Sequence, residues 1–329
     1  MDRQPIQFVR DLINSHALAR CLHVVAELGV ADALEDEPAT AAQLAGRTGA
    51  NADALNRILR LLAAHDVFAL GPRGYAHTEA SRLLRSDHPQ SLRSFGRMIG
   101  MPVIWNAFTK LGDVARSGVP ALEWAGLVEY FSRHPEEASL FNQAMVGKSG
   151  AIIPAVLDAY DFGRFATIAD IGGGHGHLLR AILQRIPTAS GVLFELPHVI
   201  ADASGASTDR LRLAAGDFFT DPLPAADAYV LMEVIHDWAD EKAIDILTAV
   251  RRVAPSHARV LLIESLVTES PGAHFSKTLD VLMLAITGGR ERTASEFETL
   301  LSAAGLRVER VIPTRSQHSL VDAVVERRA

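Results

Sequence analysis

The sequence predicts an α/β protein in which an N-terminal α-helical winged-helix domain precedes a doubly wound, mostly parallel Rossmann-like sheet. Two observations support this fold class. After residue 166, short apolar runs alternate with helical segments, a pattern typical of parallel strands joined by crossover helices. Before residue 110, Ala- and Leu-rich helical segments lead instead into a short hairpin pattern.

Helix, turn, helix and hairpin follow one another in the N-terminal region. Thr40-Ala-Ala-Gln43 has the spacing of a capping box, and Asn51 can cap the next helix. Two short strand patterns, near Val67 and Tyr75, then flank a Gly-Pro-Arg-Gly turn. This order describes a winged helix, so a DNA-binding regulator is one alternative function. The net charge of -7 favours a dimer contact or a lid, because Lys and Arg drive nucleic-acid binding.

Residues 111–160 stay helical and supply large apolar side chains. Such groups at helical spacing are usually core, but this segment joins the two halves and is also expected to line the substrate cleft. The predicted domains are therefore 1–110, 111–160 and 161–329. The large side chains are Trp124, Tyr130, Phe131, Phe141 and Met145.

A glycine-rich turn follows the first predicted strand of the sheet, residues 167–171, and leads into a helix. Its glycines depart from the G-x-G-x-x-G dinucleotide pattern, since the third comes one position early at Gly176. Glu195 ends the second strand, where an acid holds a ribose diol. Asp217 and Phe218 follow the third strand and could face an adenine. These features together predict an adenosine ligand without a pyrophosphate, and S-adenosylmethionine fits them.

Three titratable side chains fall at or near the same edge of the predicted sheet. His236 follows the strand at 227–232, Glu264 ends the strand at 259–264, and Glu291 precedes a capped helix that begins after Thr293. A neutral histidine there could take a proton from a hydroxyl, with a carboxylate orienting it. The alternatives are a loop histidine bonded to backbone and acids that are solvated or cap a neighbouring segment. The 13 histidines form no compact ligand pattern with acids, so no metal site is predicted.

The remaining features concern the end of the sheet and the surroundings of the protein. Strands near 306–312 and 319–325 are expected to close the sheet as a hairpin. A single cysteine, Cys21, and an N-terminus without signal-peptide character favour the cytoplasm. No uncharged apolar run reaches the roughly 20 residues that cross a bilayer, so no membrane contact is expected.

The chain closely resembles the S-adenosylmethionine-dependent O-methyltransferases of the plant caffeic acid type and their bacterial relatives in secondary metabolism. The resemblance covers nearly the whole chain, and its motifs occur in the family's order and spacing. The motifs are Asp170-Ile-Gly-Gly-Gly-His-Gly, Glu195-Leu-Pro-His-Val-Ile, Gly216-Asp-Phe-Phe, His236-Asp-Trp and Gly288-Gly-Arg-Glu-Arg-Thr.

This resemblance implies a homodimer whose N-terminal domain contributes to the partner's pocket, and a small aromatic acceptor. It makes His236 the general base, flanked by Glu264 and Glu291. Met232 departs from the plant members, which carry a lysine there. Some bacterial relatives perform hydroxylation, decarboxylation or pericyclic reactions, so non-methylating chemistry is the other alternative. The candidate cofactor residues are Ser149, Asp170, Gly172, Gly174, Glu195, Leu196, Asp217 and Phe218, and the candidate acceptor residues are Met145, Asp237 and Met283.

Overall fold

A computed structural model describes residues 4–203 and 207–326. Contacts divide the chain into two compact units. The first consists of Met1–Asn106 and Phe131–Lys148, and the second of Ala107–Tyr130 and Ser149–Ala329. The domain limits inferred from the sequence, at residues 110 and 160, remain predictions.

The first unit contains the predicted winged helix. Thr40 and Gln43 form the expected capping box, and the Asn51 side chain accepts a hydrogen bond from the Ala54 amide. A two-stranded antiparallel hairpin follows. The helices and strands up to residue 99 are α1 (Pro5–Glu27), α2 (Val30–Leu34), α3 (Ala41–Thr48), α4 (Ala52–Ala63), β1 (Phe68–Gly71), β2 (Gly74–His77), α5 (Glu79–Arg82) and α6 (Arg93–Ile99).

Four helices follow in the segment that includes the predicted connector. They are α7 (Pro102–Thr109), α8 (Leu111–Ser117), α9 (Trp124–Arg133) and α10 (Pro135–Ala159). The large side chains that the sequence suggested as core are all only half-buried within one chain. Their apolar surface is therefore partly accessible to a ligand or to another chain.

The second unit contains a seven-stranded sheet in the order β5-β4-β3-β6-β7-β9-β8. The first five strands in this order are parallel, and β9 and β8 are antiparallel. The predicted strand positions are confirmed to within about one residue at each end. The strands are β3 (Thr167–Ile171), β4 (Ser190–Glu195), β5 (Leu211–Ala215), β6 (Ala228–Met232), β7 (Arg259–Glu264), β8 (Leu306–Pro313) and β9 (Ser319–Val325).

Helices cover both faces of this sheet, which confirms the doubly wound architecture. Tyr229 and Leu231 of β6 belong to a core with Ile246 of α13 (Asp240–Val253), whereas Ile168 and Val230 pack on the opposite face with α11 (His177–Arg185). The helices are α11 (His177–Arg185), α12 (Pro197–Asp202), α13 (Asp240–Val253), α14 (Phe275–Ile286) and α15 (Ala294–Ala303).

The strand order reverses between β3 and β6, because the chain first builds β4 and β5 on one side and later β6 and β7 on the other. Loops diverge at such a switch point and leave a crevice at the carboxyl ends of the strands, where open α/β sheets bind ligands. Among the described residues, no helix is long and apolar enough to span a bilayer.

Candidate active site

The turn after β3 wraps tightly around the side chain of Asp170. Gly172, Gly174 and Gly176 adopt positive φ angles of 68°, 57° and 72°. A Cβ atom at Gly173 would lie 2.3 Å from the carboxyl carbon of Asp170. The turn thus requires glycine both for its backbone conformation and for the close approach to Asp170.

Asp170 is a buried acid whose carboxylate oxygens make no well-formed hydrogen bond within the described parts of the chain. Burial raises the pKa of Asp170 to about 7, the Glu195 charge adds to this rise, and the Leu179 amide opposes it. A buried carboxylate without partners is costly, so this edge of the sheet suits a ligand that supplies cationic or N–H donor groups.

Glu195 connects the second strand end to the same turn. Its Oε1 accepts a hydrogen bond from the Gly174 amide at 3.2 Å, and its Oε2 accepts one from the Leu196 amide at 2.5 Å. Burial raises the pKa of Glu195, and these two hydrogen bonds oppose the rise. The acid is therefore held in place beside the glycines, with further lone pairs available to a ligand.

The ends of β5 and β6 also reach this turn. A Cβ atom at Gly172 would lie 3.1 Å from Val234 Cγ2 and 3.7 Å from Phe218 Cε1. Asp217 Oδ1 accepts a hydrogen bond from the Phe219 amide at 2.9 Å, which orients the carboxylate. S-adenosylmethionine fits this group of residues, because it offers an ammonium group and a ribose diol as donors and an adenine ring for stacking.

His236 lies in a turn after β6, with carboxylates on both sides of its ring. Its Nδ1 is 2.6 Å from Glu291 Oε1 and 3.9 Å from Glu264 Oε2, and its Nε2 is 3.9 Å from Asp237 Oδ1. His236, Glu264 and Glu291 are all buried. The structure thus brings together the three titratable residues singled out from the sequence.

The carboxylates control the charge of the ring. Burial alone lowers the pKa of His236, but the three surrounding carboxylates together raise it, to about 10. Burial raises the pKa of Glu264 to about 8, Glu291 and Glu233 add to the rise, and the imidazole opposes it. The carboxylates therefore stabilise the protonated form of the ring more than water would.

His236, Glu264 and Glu291 also have the composition of a metal site, since a ligand atom from each lies within 4.8 Å of the others. The 2.6 Å contact between His236 Nδ1 and Glu291 has the length of a direct charge-assisted hydrogen bond. The absence of a metal remains a prediction from the sequence.

Arg292 supports the turn that carries His236, and the sequence did not single it out. Its guanidinium is almost fully buried and donates to the carbonyl oxygens of Ile235 and Trp238, on either side of His236. It also donates to Asp240 Oδ1 at 2.7 Å. The motif Gly288-Gly-Arg-Glu-Arg-Thr contained this arginine, but nothing in its spacing indicated which arginine would be buried.

Gly289 brings the turn that carries Glu291 directly against the turn that carries His236. A Cβ atom at Gly289 would lie 2.0 Å from the His236 carbonyl oxygen and 2.5 Å from the Asp237 carbonyl carbon. The next residue, Arg290, donates its amide hydrogen to the same His236 oxygen at 2.9 Å. The absence of a side chain at Gly289 therefore sets the distance between the two turns.

The remaining predicted residues occupy separate positions. Asp237 is half-buried beside the imidazole. Met283 is buried on α14, four residues before Thr287. The Thr287 hydroxyl accepts a hydrogen bond from the Gly289 amide. Ser149 lies on α10 in the second unit, whereas Met145 lies on the same helix in the first unit. The roles of Ser149 and Met145 remain predictions.

Comparisons with known proteins match both parts of the chain. An O-methyltransferase domain model matches residues 108–307, and an O-methyltransferase dimerisation domain model matches residues 10–87. A phenazine O-methyltransferase from Lysobacter antibioticus is 39% identical over 95% of this chain and 94% of its own length. A mitomycin biosynthesis 6-O-methyltransferase from Streptomyces lavendulae is 36% identical over 93% of this chain and 90% of its own.

A solved structure extends the similarity to the cofactor. A methyltransferase of calicheamicin biosynthesis, crystallised with S-adenosylhomocysteine, is 36% identical and superposes with a TM-score of 0.87 over 98% of this chain and 99% of its own. The chain matches these proteins in both its units, including the dimerisation domain. It is therefore a member of the S-adenosylmethionine-dependent O-methyltransferase family.

Proposed function

We propose that this protein forms a homodimer and methylates a hydroxyl group of a small aromatic or polyketide-like acceptor, with His236 as the general base. The observation that carries this proposal is the buried 2.6 Å contact between His236 and Glu291. The acceptor class is supported by the phenazine and mitomycin enzymes that the chain resembles. When bound, S-adenosylmethionine supplies an electrophilic methyl group on its sulfonium.

The site would work by holding and moving one proton. Glu291 accepts a hydrogen bond from Nδ1–H of His236, which leaves Nε2 as the nitrogen that receives the acceptor's proton. Glu264 accepts a hydrogen bond from the Ile235 amide at 2.9 Å and adds negative charge behind the ring. Both carboxylates stabilise the imidazolium that forms when the hydroxyl loses its proton. Asp237 and Met283 are proposed to contact the acceptor.

We further propose that the cofactor is held by the residues at the carboxyl ends of β3, β4 and β5. Three features support this assignment: the buried Asp170 carboxylate, which makes no well-formed hydrogen bond within the described residues, the fixed carboxylate of Glu195 and the adjoining Phe218 ring. They are assigned to bind and orient S-adenosylmethionine together with Ser149, Gly172, Gly174, Leu196 and Asp217.

Replacing Glu195 with alanine is expected to weaken the binding of S-adenosylmethionine by about 1 to 3 kcal/mol, because a charged acceptor of ribose hydrogen bonds is lost. Calorimetric titration measures this directly and requires no acceptor. Glu298→Ala, which removes an exposed glutamate on α15, is the matched control and should bind as the wild type does. Unchanged binding in a folded Glu195→Ala variant would remove Glu195 from the cofactor site.

Replacing Glu291 with glutamine is expected to move the acidic limb of the kcat/KM profile to lower pH. A general base acts in its neutral form, and the carboxylates raise the pKa of His236 above its ordinary value of 6.5. The wild type should therefore gain activity with rising pH through an apparent pKa above 6.5. The glutamine removes one of the charges that favour the imidazolium, so the acidic limb of this variant should lie at lower pH. A limb at the same pH in both proteins would argue against control by Glu291.

An exposed apolar stripe on α1 supports the proposed dimer. Val9, Leu12 and Ile13 follow Ile6 by three, six and seven residues, which is about one to two helical turns, and the four are 52–71% exposed within one chain. A monomer rarely leaves such a cluster in water. Ile13→Glu is expected to shift the protein from twice the chain mass towards the single-chain mass in sedimentation velocity. Val119→Glu, at an exposed position in the other unit, should leave the mass unchanged.

A further inference from the structure

A cavity lies towards the amino ends of the parallel strands, at the edge opposite the candidate active site. It has a volume of about 400 Å³ and is lined by Arg164, Arg259, Arg307, Glu309 and Arg310. Arg259 is the first residue of β7, and Arg164 lies three residues before β3. The candidate active site lies at the carboxyl ends of the parallel strands, so the arginine cavity belongs to another part of the sheet.

Strand register places these side chains on one face. Arg259 pairs with Val324 and Val324 pairs with Arg307, so the two arginines point the same way. A β-bulge lies between Val308 and Arg310, and it leaves Glu309 without an opposite residue. The extra residue shifts the alternation of side chains by one position, which brings Arg310 to the same face as Arg307.

Two carboxylates neutralise only part of this positive charge. Arg259 is buried and contacts Glu309 Oε2 and Asp322 Oδ2, each at 2.7 Å. The fully buried Asp322 also accepts a hydrogen bond from Arg310 Nε at 3.1 Å. Four guanidinium groups thus face two carboxylates and leave an excess of two positive charges, within a chain whose net charge is -7.

The outer arginines keep donors that the protein does not use. Arg164 makes no ion pair with any described residue, and its guanidinium lies 5.4 Å from the centre of the Phe165 ring. Arg307 contacts Glu309 Oε1 through Nη2 at 3.3 Å and is 59% exposed. Each guanidinium has five N–H donors in a fixed fork, so most of those on Arg164 and Arg307 are available to an oxyanion.

We infer that the arginine cavity binds the phosphate group of a small molecule. A phosphate monoester carries about two negative charges at neutral pH, which matches the uncompensated charge, and guanidinium forks pair with phosphate oxygens bidentately. An extended nucleic acid fits less well, because it needs a basic surface that follows several phosphates, and here Glu309 and Asp322 interrupt the positive charge.

The test is a titration of the whole protein with inorganic phosphate and with phenyl phosphate at constant ionic strength, followed by the melting temperature and by calorimetry. Saturable binding of phenyl phosphate is expected, with the affinity at least about fivefold lower in Arg164→Gln and in Arg307→Gln. Both side chains are exposed, so these variants should fold. Arg212→Gln removes an exposed arginine from β5, at the other side of the sheet, and should bind as the wild type does.

Glu309→Gln gives the sharper test, since it should change the affinity in the opposite direction. Loss of this carboxylate frees donors on Arg259 and Arg307 and adds to the excess positive charge, so phosphate should bind more tightly. Equal affinity in all four variants and the wild type, or the same response to chloride as to phosphate, would overturn the proposal. So would binding of duplex DNA without binding of either phosphate probe. Binding of inorganic phosphate alone would reassign the site to the free ion and overturn the small-molecule ligand.

Discussion

Replacing His236 with alanine is expected to lower methyl transfer by about 10²- to 10⁴-fold while cofactor binding persists, because general-base help is lost and the cofactor residues lie elsewhere. The measurement is single-turnover transfer to a hydroxylated aromatic acceptor, combined with calorimetry of S-adenosylmethionine. Transfer at the wild-type rate in a folded variant that binds the cofactor would exclude His236 as the base.

The neighbouring charges require a control for this experiment. Glu264 and Glu291 are buried, and removing the imidazolium leaves them without their cationic partner. Breaking a buried pair in this way costs about 3 to 5 kcal/mol of folding free energy. The double variant His236→Gln with Glu291→Gln removes a charge from each partner, so it should melt closer to the wild type and still be inactive.

Acceptors whose hydroxyl groups differ in acidity can distinguish a His236 that acts as a base from one that only maintains the structure. An acceptor whose hydroxyl group is already ionised at the assay pH has no proton to lose, so the His236 variant should transfer methyl to it with a much smaller deficit. A structural defect would reduce transfer to all acceptors alike. The comparison therefore tests proton removal itself rather than the presence of an intact site.

Much of this site could be predicted because the relevant side chains lie at strand ends. Glu195 and Glu264 each end a short apolar run, and the carboxyl ends of parallel strands share one edge of the sheet. Glycines, capping residues and the ends of the apolar runs indicate where these strands begin and end. Local signals of this kind are sufficient for the fold and for the positions of Asp170 and His236.

The tertiary contacts that bury Arg292 and form the β-bulge could not be predicted in the same way. Burial of Arg292 depends on how the turn at 287–292 packs against the turn at 235–238. No periodicity links Arg292 to Ile235 and Trp238, which lie 57 and 54 residues earlier in the chain. The bulge that gathers Arg307, Glu309 and Arg310 depends on a register shift against β9. Both features arise from tertiary contacts between segments whose sequences give no sign of the pairing.

Replacing Gly289 with alanine is expected to reduce kcat/KM by about 10²-fold or more, although this residue carries no chemical group. The new Cβ atom would lie 2.0 Å from the His236 carbonyl oxygen, and a backbone atom cannot rotate away as a flexible side chain does. Either turn must shift, which disturbs the Arg290 amide bond to the same oxygen and moves Glu291 relative to the imidazole. A displacement of about 1 Å in a catalytic group is sufficient for a loss of this size.

Gly272→Ala is the matched control, because its Cβ atom would lie 3.7 Å from the nearest neighbour, the Ser270 hydroxyl, at ordinary van der Waals distance. It should retain wild-type activity. In Gly289→Ala we expect a lower melting temperature, a lower kcat and an acidic limb of the pH profile shifted to lower pH, since a looser contact with Glu291 stabilises the imidazolium less. Activity near that of the wild type would show that the turns separate without consequence, and the 2.6 Å contact between His236 and Glu291 would then not be what determines the rate.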